Sequence, residues 1–324
     1  MSHTNRSTAL RTWGLRIAKL VVVVLVVWAI QRTIGDAWAQ LADYRLQIQP
    51  GWLVAAAGLY LAGLLPAAVF WRHVLRTLGQ DPRWGETVRA YFVGHLGKYV
   101  PGKAMVVVIR TGLIRSQRVG TGVAAASVFV ETLTMMAAGA FVAAAILACW
   151  FGAHTRMLAG AIGLMVIAGL PTLPPVFRRL ARWAGVARSE AGGGVDLHRL
   201  RARTLLLGWC LMVLGWCLLG LSYWATLRAM GLAGADPWAQ WPRYTASVAL
   251  AMVAGFLALV FPGGVGVREA ALVELMLPYF RQLGPGVAAH AELAAWASAA
   301  MLRLIWLGTE LVAAGVSWVA SRRS

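Results

Sequence analysis

Two short stretches set cations beside a helix break in the middle of apolar sequence: Gly97 to Lys103, GKYVPGK, and Phe261 to Glu269, FPGGVGVRE. Proline ends a helix because it lacks an N–H and clashes with the preceding turn, while glycine permits a tight reversal. Pro101, Pro262 and Gly263 are therefore the expected breaks. A half-helix restarting at Gly102 or near Val265 presents unpaired N–H groups and the positive end of its dipole. Lys103 and Arg268 stand near those starts and add full charge. The chemistry this implies is anion binding, suited to a phosphate or another acidic headgroup. The expected binding set is Lys103, Arg268, Gly102, Gly264, Gly266 and Arg110, with Tyr99 and His95 placed to donate hydrogen bonds. The alternative is a pair of interfacial turns whose Lys98 and Lys103 snorkel to water.

A second set of charges lies inside apolar runs, where each needs a partner or a wet cavity. Glu131 falls in one such run, Arg303 and Glu310 in the last one. Arg303 and Glu310 are seven apart, on one helical face, and either pair with each other or act in transport. Glu269, beside Arg268, is placed to orient it, and Glu274 reads as interfacial. Glu131, Glu269, Arg303 and Glu310 are thus the candidates for gating or proton coupling.

Catalytic signatures are missing. There is no GxSxG, HExxH, CxxC or paired acidic motif, and GGVGVRE lacks the Lys-Ser/Thr of a phosphate loop. The reading is a non-enzyme with no cofactor and no metal site. Cys149, Cys210 and Cys217 lie in apolar runs and read as small buried residues, with no disulfide framework.

The elements that position these residues follow from composition. Of 324 residues 60% are hydrophobic and only 13% charged, against about 25% charged in soluble domains. Several runs reach the ~20 apolar residues that cross a bilayer, so the expected fold is all-α and integral to a membrane. The net charge of +18 would suggest nucleic acid in a soluble protein. Here topology explains it, because most Lys and Arg fall in alternate loops as the positive-inside rule requires, and no nucleic-acid partner is expected.

In chain order, Arg6, Arg11, Arg16 and Lys19 precede or enter a first span at Leu15 to Ile30, placing the N-terminus in the cytoplasm. That run has no small-x-small cleavage site and reads as a retained helix. Trp52 to Trp71 is a second span. Tyr91 to Leu113 is broken at GKYVPGK and basic at both ends, which fits a hairpin entering and leaving on one side. Val123 to Trp150 and Leu158 to Phe177 are spans, and the Gly/Ser/Ala-rich stretch Ala184 to Val195 is a linker. Thr204 to Leu227 spans again and a Trp-bearing external loop follows. Tyr244 to Phe280 is broken at PGGVG, and a last span from about Ala288 to Val319 ends at Arg322 and Arg323, inside.

Four regions result: 1–34, an N-terminal segment and first span; 35–183, a first half; 184–203, a basic cytoplasmic linker; and 204–324, a second half. Both halves read span, broken hairpin, span, in opposite orientation. About six full spans plus two broken re-entrant hairpins in an inverted repeat is the expected architecture. The alternative is about eight full spans, since Tyr244 to Val260 is long enough to cross at a stretch. Paired interruptions in corresponding positions of two halves point to a transporter's site.

At these motifs the chain resembles the flippase-like family that includes the transmembrane region of lysylphosphatidylglycerol synthases. The resemblance rests on YVPGK followed by Arg110, on Glu131 in the next helix and on FPGGVGVREAAL, and it extends in order and hydropathy over nearly the whole length. In the family the first motif commonly continues with glycine and an acidic residue, whereas Ala104, Met105 and Val106 follow here. The resemblance implies translocation of a lipid or lipid-linked headgroup in a bacterial inner membrane. Its implied partners are anionic or polyprenyl-phosphate-linked lipids, with a glycosyltransferase or lipid-modifying enzyme as a further one. Synthase activity belongs to a soluble domain in those proteins and is not expected here. The competing reading is a non-transporting membrane scaffold or accessory subunit for such an enzyme.

Overall fold

A computed structural model describes residues 48–99, 104–116, 118–150, 199–233, 238–258, 264 and 266–320, with isolated positions between 163 and 179. The expected spans at Leu15 to Ile30 and Leu158 to Phe177 lie outside the described residues, as do nearly all of the linker and the breaks at Pro101, Pro262 and Gly263.

The described chain is helical. Long helices α1 (Pro50–Thr77), α4 (Thr121–Trp150), α5 (Ala202–Ala229) and α9 (Ala291–Ala320) alternate with two interrupted pairs. The first pair is α2 (Trp84–His95), a 3₁₀ turn over Leu96–Tyr99, and α3 (Ala104–Ile114). The second is α6 (Trp241–Leu257) and α7 (Val267–Phe280), followed by the single turn α8 (Pro285–Ala288). Helices α1, α4, α5 and α9 are long and apolar enough to cross a membrane. At 17 residues α6 is about 25 Å long at 1.5 Å per residue, below the thickness of a hydrocarbon core.

Glycine closes each interrupted pair. A Cβ on Gly97 would sit 2.8 Å from the Val106 amide, and one on Gly94 would collide with Arg110, so α2 and α3 approach backbone to backbone. In the second pair Gly264, at φ +68°, faces the Gly255 backbone, 2.6 Å from where its Cβ would be. Each pair therefore folds back on itself, which is what a Pro-Gly interruption without a long loop permits.

At the centre, α1 and α5 run antiparallel along their whole lengths. Gln49 N–H donates to the Ala229 carbonyl, Ser222 Oγ donates to the Ala56 carbonyl, Gly63 meets Gly215, and Phe70 packs on Gly208. These contacts recur every seven residues, the period of a left-handed helix seam. Without a hydrophobic drive between helices in lipid, such close small-residue contacts are what hold the pair.

Exchanging the halves preserves the neighbours around this seam. α4 packs on α6 as α9 packs on α2, and α3 on α4 as α7 on α9. Trp71, Trp216, Trp306, Tyr91, Tyr223 and Tyr244 are fully enclosed between these helices. The cysteines are not: Cys149 and Cys210 are exposed and Cys217 is half-buried, correcting the expectation of buried thiols. They lie on outward helix stripes, where a thiol serves as a small apolar group facing lipid as readily as protein.

Candidate functional site

The two interruptions meet at α9. Lys98, in the turn after α2, places Nζ 2.5 Å from Glu310 Oε1 on α9. Tyr60 of α1 donates its hydroxyl to the same oxygen. His95 completes the group, its Nε2 3.0 Å from Lys98 Nζ and 3.6 Å from Glu310 Oε1. Glu310 is 1% exposed, and its second oxygen, Oε2, has no hydrogen-bond partner among the described residues. A carboxylate so enclosed needs Lys98: removing either partner would leave the other buried and uncompensated.

From the second interruption come Arg268 and Glu269, at the start of α7. Glu269 does two jobs. One carboxylate oxygen accepts the Gly266 N–H at 2.7 Å, and the other accepts Arg303 Nη1 from α9. Gly266 stands at φ +82°, a left-handed conformation that glycine alone adopts without strain. The dipole end of α7 thus already holds an anion, one supplied by its own first turn. Glu269 binds Arg303 rather than orienting Arg268.

Arg303 and Glu310 share a face of α9 but not a bond. Arg303 reaches Glu269 and Glu310 reaches Lys98, so the last span joins both interruptions instead of pairing with itself. Arg268, 8% exposed, has no carboxylate in ion-pair range among the described residues. Its guanidinium lies 4.9 Å from the centre of the Trp306 ring. Trp306 is held on its other contacts by Tyr60, stacked at 4.4 Å, and by Ser222 Oγ, which accepts its indole N–H at 3.0 Å. Among the described residues of the group, Lys98, Arg268 and Arg303 face Glu269 and Glu310, three cations to two carboxylates.

Arg110 and Glu131 form a separate pair. Both are 2% exposed and bonded at 2.7 Å, and the guanidinium lies 4.1 Å from the Tyr91 ring centre and 5.4 Å from that of Trp71. Two aromatic rings flank this pair, and its opposite charges match, although Arg110 Nε has no partner among the described residues. It connects to the first group through Tyr91, whose ring stacks on His95 at 5.9 Å.

Of the sequence-predicted residues, the structure brings together Arg268, Glu269, Gly264, Gly266, Tyr99, His95, Arg303 and Glu310. Tyr99 lines the group as a ring 6.0 Å from the Arg303 guanidinium and 5.1 Å from Lys98 Nζ. Arg110 and Glu131 stand apart as a closed pair. Lys103, Gly102, Pro101, Pro262 and Gly263 lie outside the described residues. Lys98, Tyr60 and Trp306 were missed. Lys98 had a signal, as the other charge inside the first interruption, whereas Tyr60 and Trp306 are ordinary aromatic residues of apolar runs. Among the described residues no three His, Cys, Asp or Glu gather in a way that would hold a metal ion.

A bundle of apolar spans carrying opposite charges in its interior, gathered where two interrupted helix pairs meet, defines a polytopic membrane protein with a polar site inside it. The chain belongs to the family described as the lysylphosphatidylglycerol synthase TM region, whose model matches residues 16–317. No curated protein matches it.

Proposed function

We propose that this protein translocates a phosphate-bearing lipid headgroup across a bacterial inner membrane, with both termini in the cytoplasm. The observation that carries the reading is the excess cation: Arg268 is enclosed, held against Trp306 and unmatched by a carboxylate among the described residues. A guanidinium at that depth without an ion-pair carboxylate of its own is expensive, and a visiting anion would offset that cost. Lys98 and Arg303 flank it, each on a carboxylate that a phosphate can replace.

The architecture supports movement rather than storage. Interrupted helices in corresponding positions of two antiparallel halves suit a re-entrant, inverted-repeat translocator, with its site where the halves meet. The family's name refers to a synthase of lysylphosphatidylglycerol, a lipid whose headgroup carries a phosphodiester, in keeping with a cationic site.

The test is transbilayer movement of fluorescent phosphatidylglycerol in vesicles containing the purified protein. Wild type is expected to bring inner-leaflet probe to an external quencher, and Arg268→Gln to abolish this while melting at the same temperature. A wild type that moves no lipid would leave the membrane scaffold as the better reading.

A further inference from the structure

The charged site has a counterpart in the other half. Gly63 and Gly215 touch at the centre of α1 and α5, and each is the fourteenth residue of a 28-residue helix. In that register Phe70 on Gly208 and Ser222 on Ala56 are the same contact read in opposite directions. Trp71 and Tyr223 are likewise equivalent, and each bonds a serine of the following span at 2.9 Å: Trp71 Nε1 to Ser127 Oγ, and Tyr223 OH to Ser298 Oγ. Both serines donate to the carbonyl three residues back, Ala124 and Ala295. Aligning those serines sets Met135 of α4 against Trp306 of α9, and Gly139 against Glu310.

A two-fold relation between antiparallel spans has its axis in the membrane plane, so equivalent points lie at mirrored depths on either side of the midplane. The counterpart of the Tyr60, Trp306 and Glu310 group is therefore the contact between α4 and α5 at Gly139. It is filled by Trp216. The indole is 1% exposed, donates to the Met135 carbonyl at 2.9 Å, and lies 2.6 Å from where a Cβ on Gly139 would be. Where one half has a glutamate and a cation, the other has an aromatic ring seated on a glycine. The packing is unequal too: α6 lies along α5 extensively, whereas its equivalent α2 touches α1 only slightly.

We propose that Trp216, seated on Gly139, is the gate that closes the headgroup path at the depth opposite the charged site. This rests on the translocator reading. With α1 and α2 loosely packed, the charged site belongs to the side that admits the headgroup. Passage to the other side requires the mirrored position to open, and the ring that fills it is held by one side-chain hydrogen bond. Swinging that ring from its glycine seat frees, at the mirrored depth, the space that Tyr60 and Glu310 occupy on this one.

The test compares wild type, Trp216→Ala and Trp216→Phe in vesicles with fluorescent phosphatidylglycerol and, separately, fluorescent phosphatidylcholine, with melting recorded for each protein. Trp216→Ala is expected to move phosphatidylglycerol several-fold faster and to admit phosphatidylcholine, with Trp216→Phe intermediate. A Trp216→Ala protein that melts as wild type and keeps its rate and selectivity overturns the gate. Should Trp216→Ala fail to fold, Trp216→Phe decides alone: faster movement supports the gate, and an equal or lower rate overturns it. If wild type moves no lipid, the translocator reading falls and the gate with it. If wild type moves lipid and the variants behave identically, the gate alone falls.

Discussion

Lys98 of the first interruption and Glu310 of the last span are bonded at 2.5 Å across 212 residues of sequence. The bond ties the turn after α2 to the last long helix. Tyr60 and His95 flank it and shield its two charges from open water.

Breaking this pair one side at a time should be costly. Lys98→Met is expected to lower stability by about 3–5 kcal/mol, because it strands the buried Glu310 carboxylate, and Glu310→Gln by less, because Lys98 is part-exposed. The double substitution should lose less than the sum of the two, a coupling read from thermal unfolding of all four proteins in detergent. Additive losses would show that the two side chains do not depend on each other.

Arg110 and Glu131 should behave as structure without transport. Arg110→Met is expected to cost about 3–5 kcal/mol, since it leaves Glu131 alone among aromatic rings. Any protein that still folds should move lipid at the wild-type rate per molecule. Comparing melting with vesicle assays separates this pair from Arg268, for which the pattern is reversed.

Inorganic phosphate should raise the melting temperature of wild type and not of Arg268→Gln, because a ligand that binds only the folded state stabilises it by mass action. Chloride at matched ionic strength is the control. An equal shift in both proteins would assign the effect to screening rather than to the site.

Close glycine contacts in the central seam and in the second interruption predict packing defects. Gly208→Ala would set a Cβ 2.4 Å from the Phe70 ring, and Gly264→Ala would force a left-handed backbone onto alanine within reach of Gly255. Each is expected to destabilise by about 1–3 kcal/mol, as overpacking and strain do. Gly85→Ala, with open space around it, should melt as wild type and is the control.

Much of this molecule is legible in its sequence. Hydropathy over Pro50–Thr77, Thr121–Cys149, Ala202–Ala229 and Ala291–Ala320 locates the long helices, because only ~20 apolar residues with internal hydrogen bonds can cross lipid. The interruptions at GKYVPGK and FPGGVGVRE mark where the helices stop, since proline and glycine act locally. Charges inside apolar runs name Arg268, Glu269, Arg303 and Glu310 as polar-site residues, since such charges must be satisfied wherever the chain takes them.

Tertiary structure alone decided who satisfies whom. Helical spacing lets Arg303 and Glu310 share a face, but Glu269 and Lys98, arriving from opposite halves, take one each. Arg110 met Glu131 and was closed off, although its position after the first break made it look like a ligand-binding residue. Tyr60 and Trp216 carry no signal in sequence, because an aromatic residue in an apolar run looks the same whether it faces lipid, lines a polar site or fills a glycine seat. The local rules of breaking and burying are short in range, whereas partners are chosen by helix packing, which joins residues hundreds of positions apart.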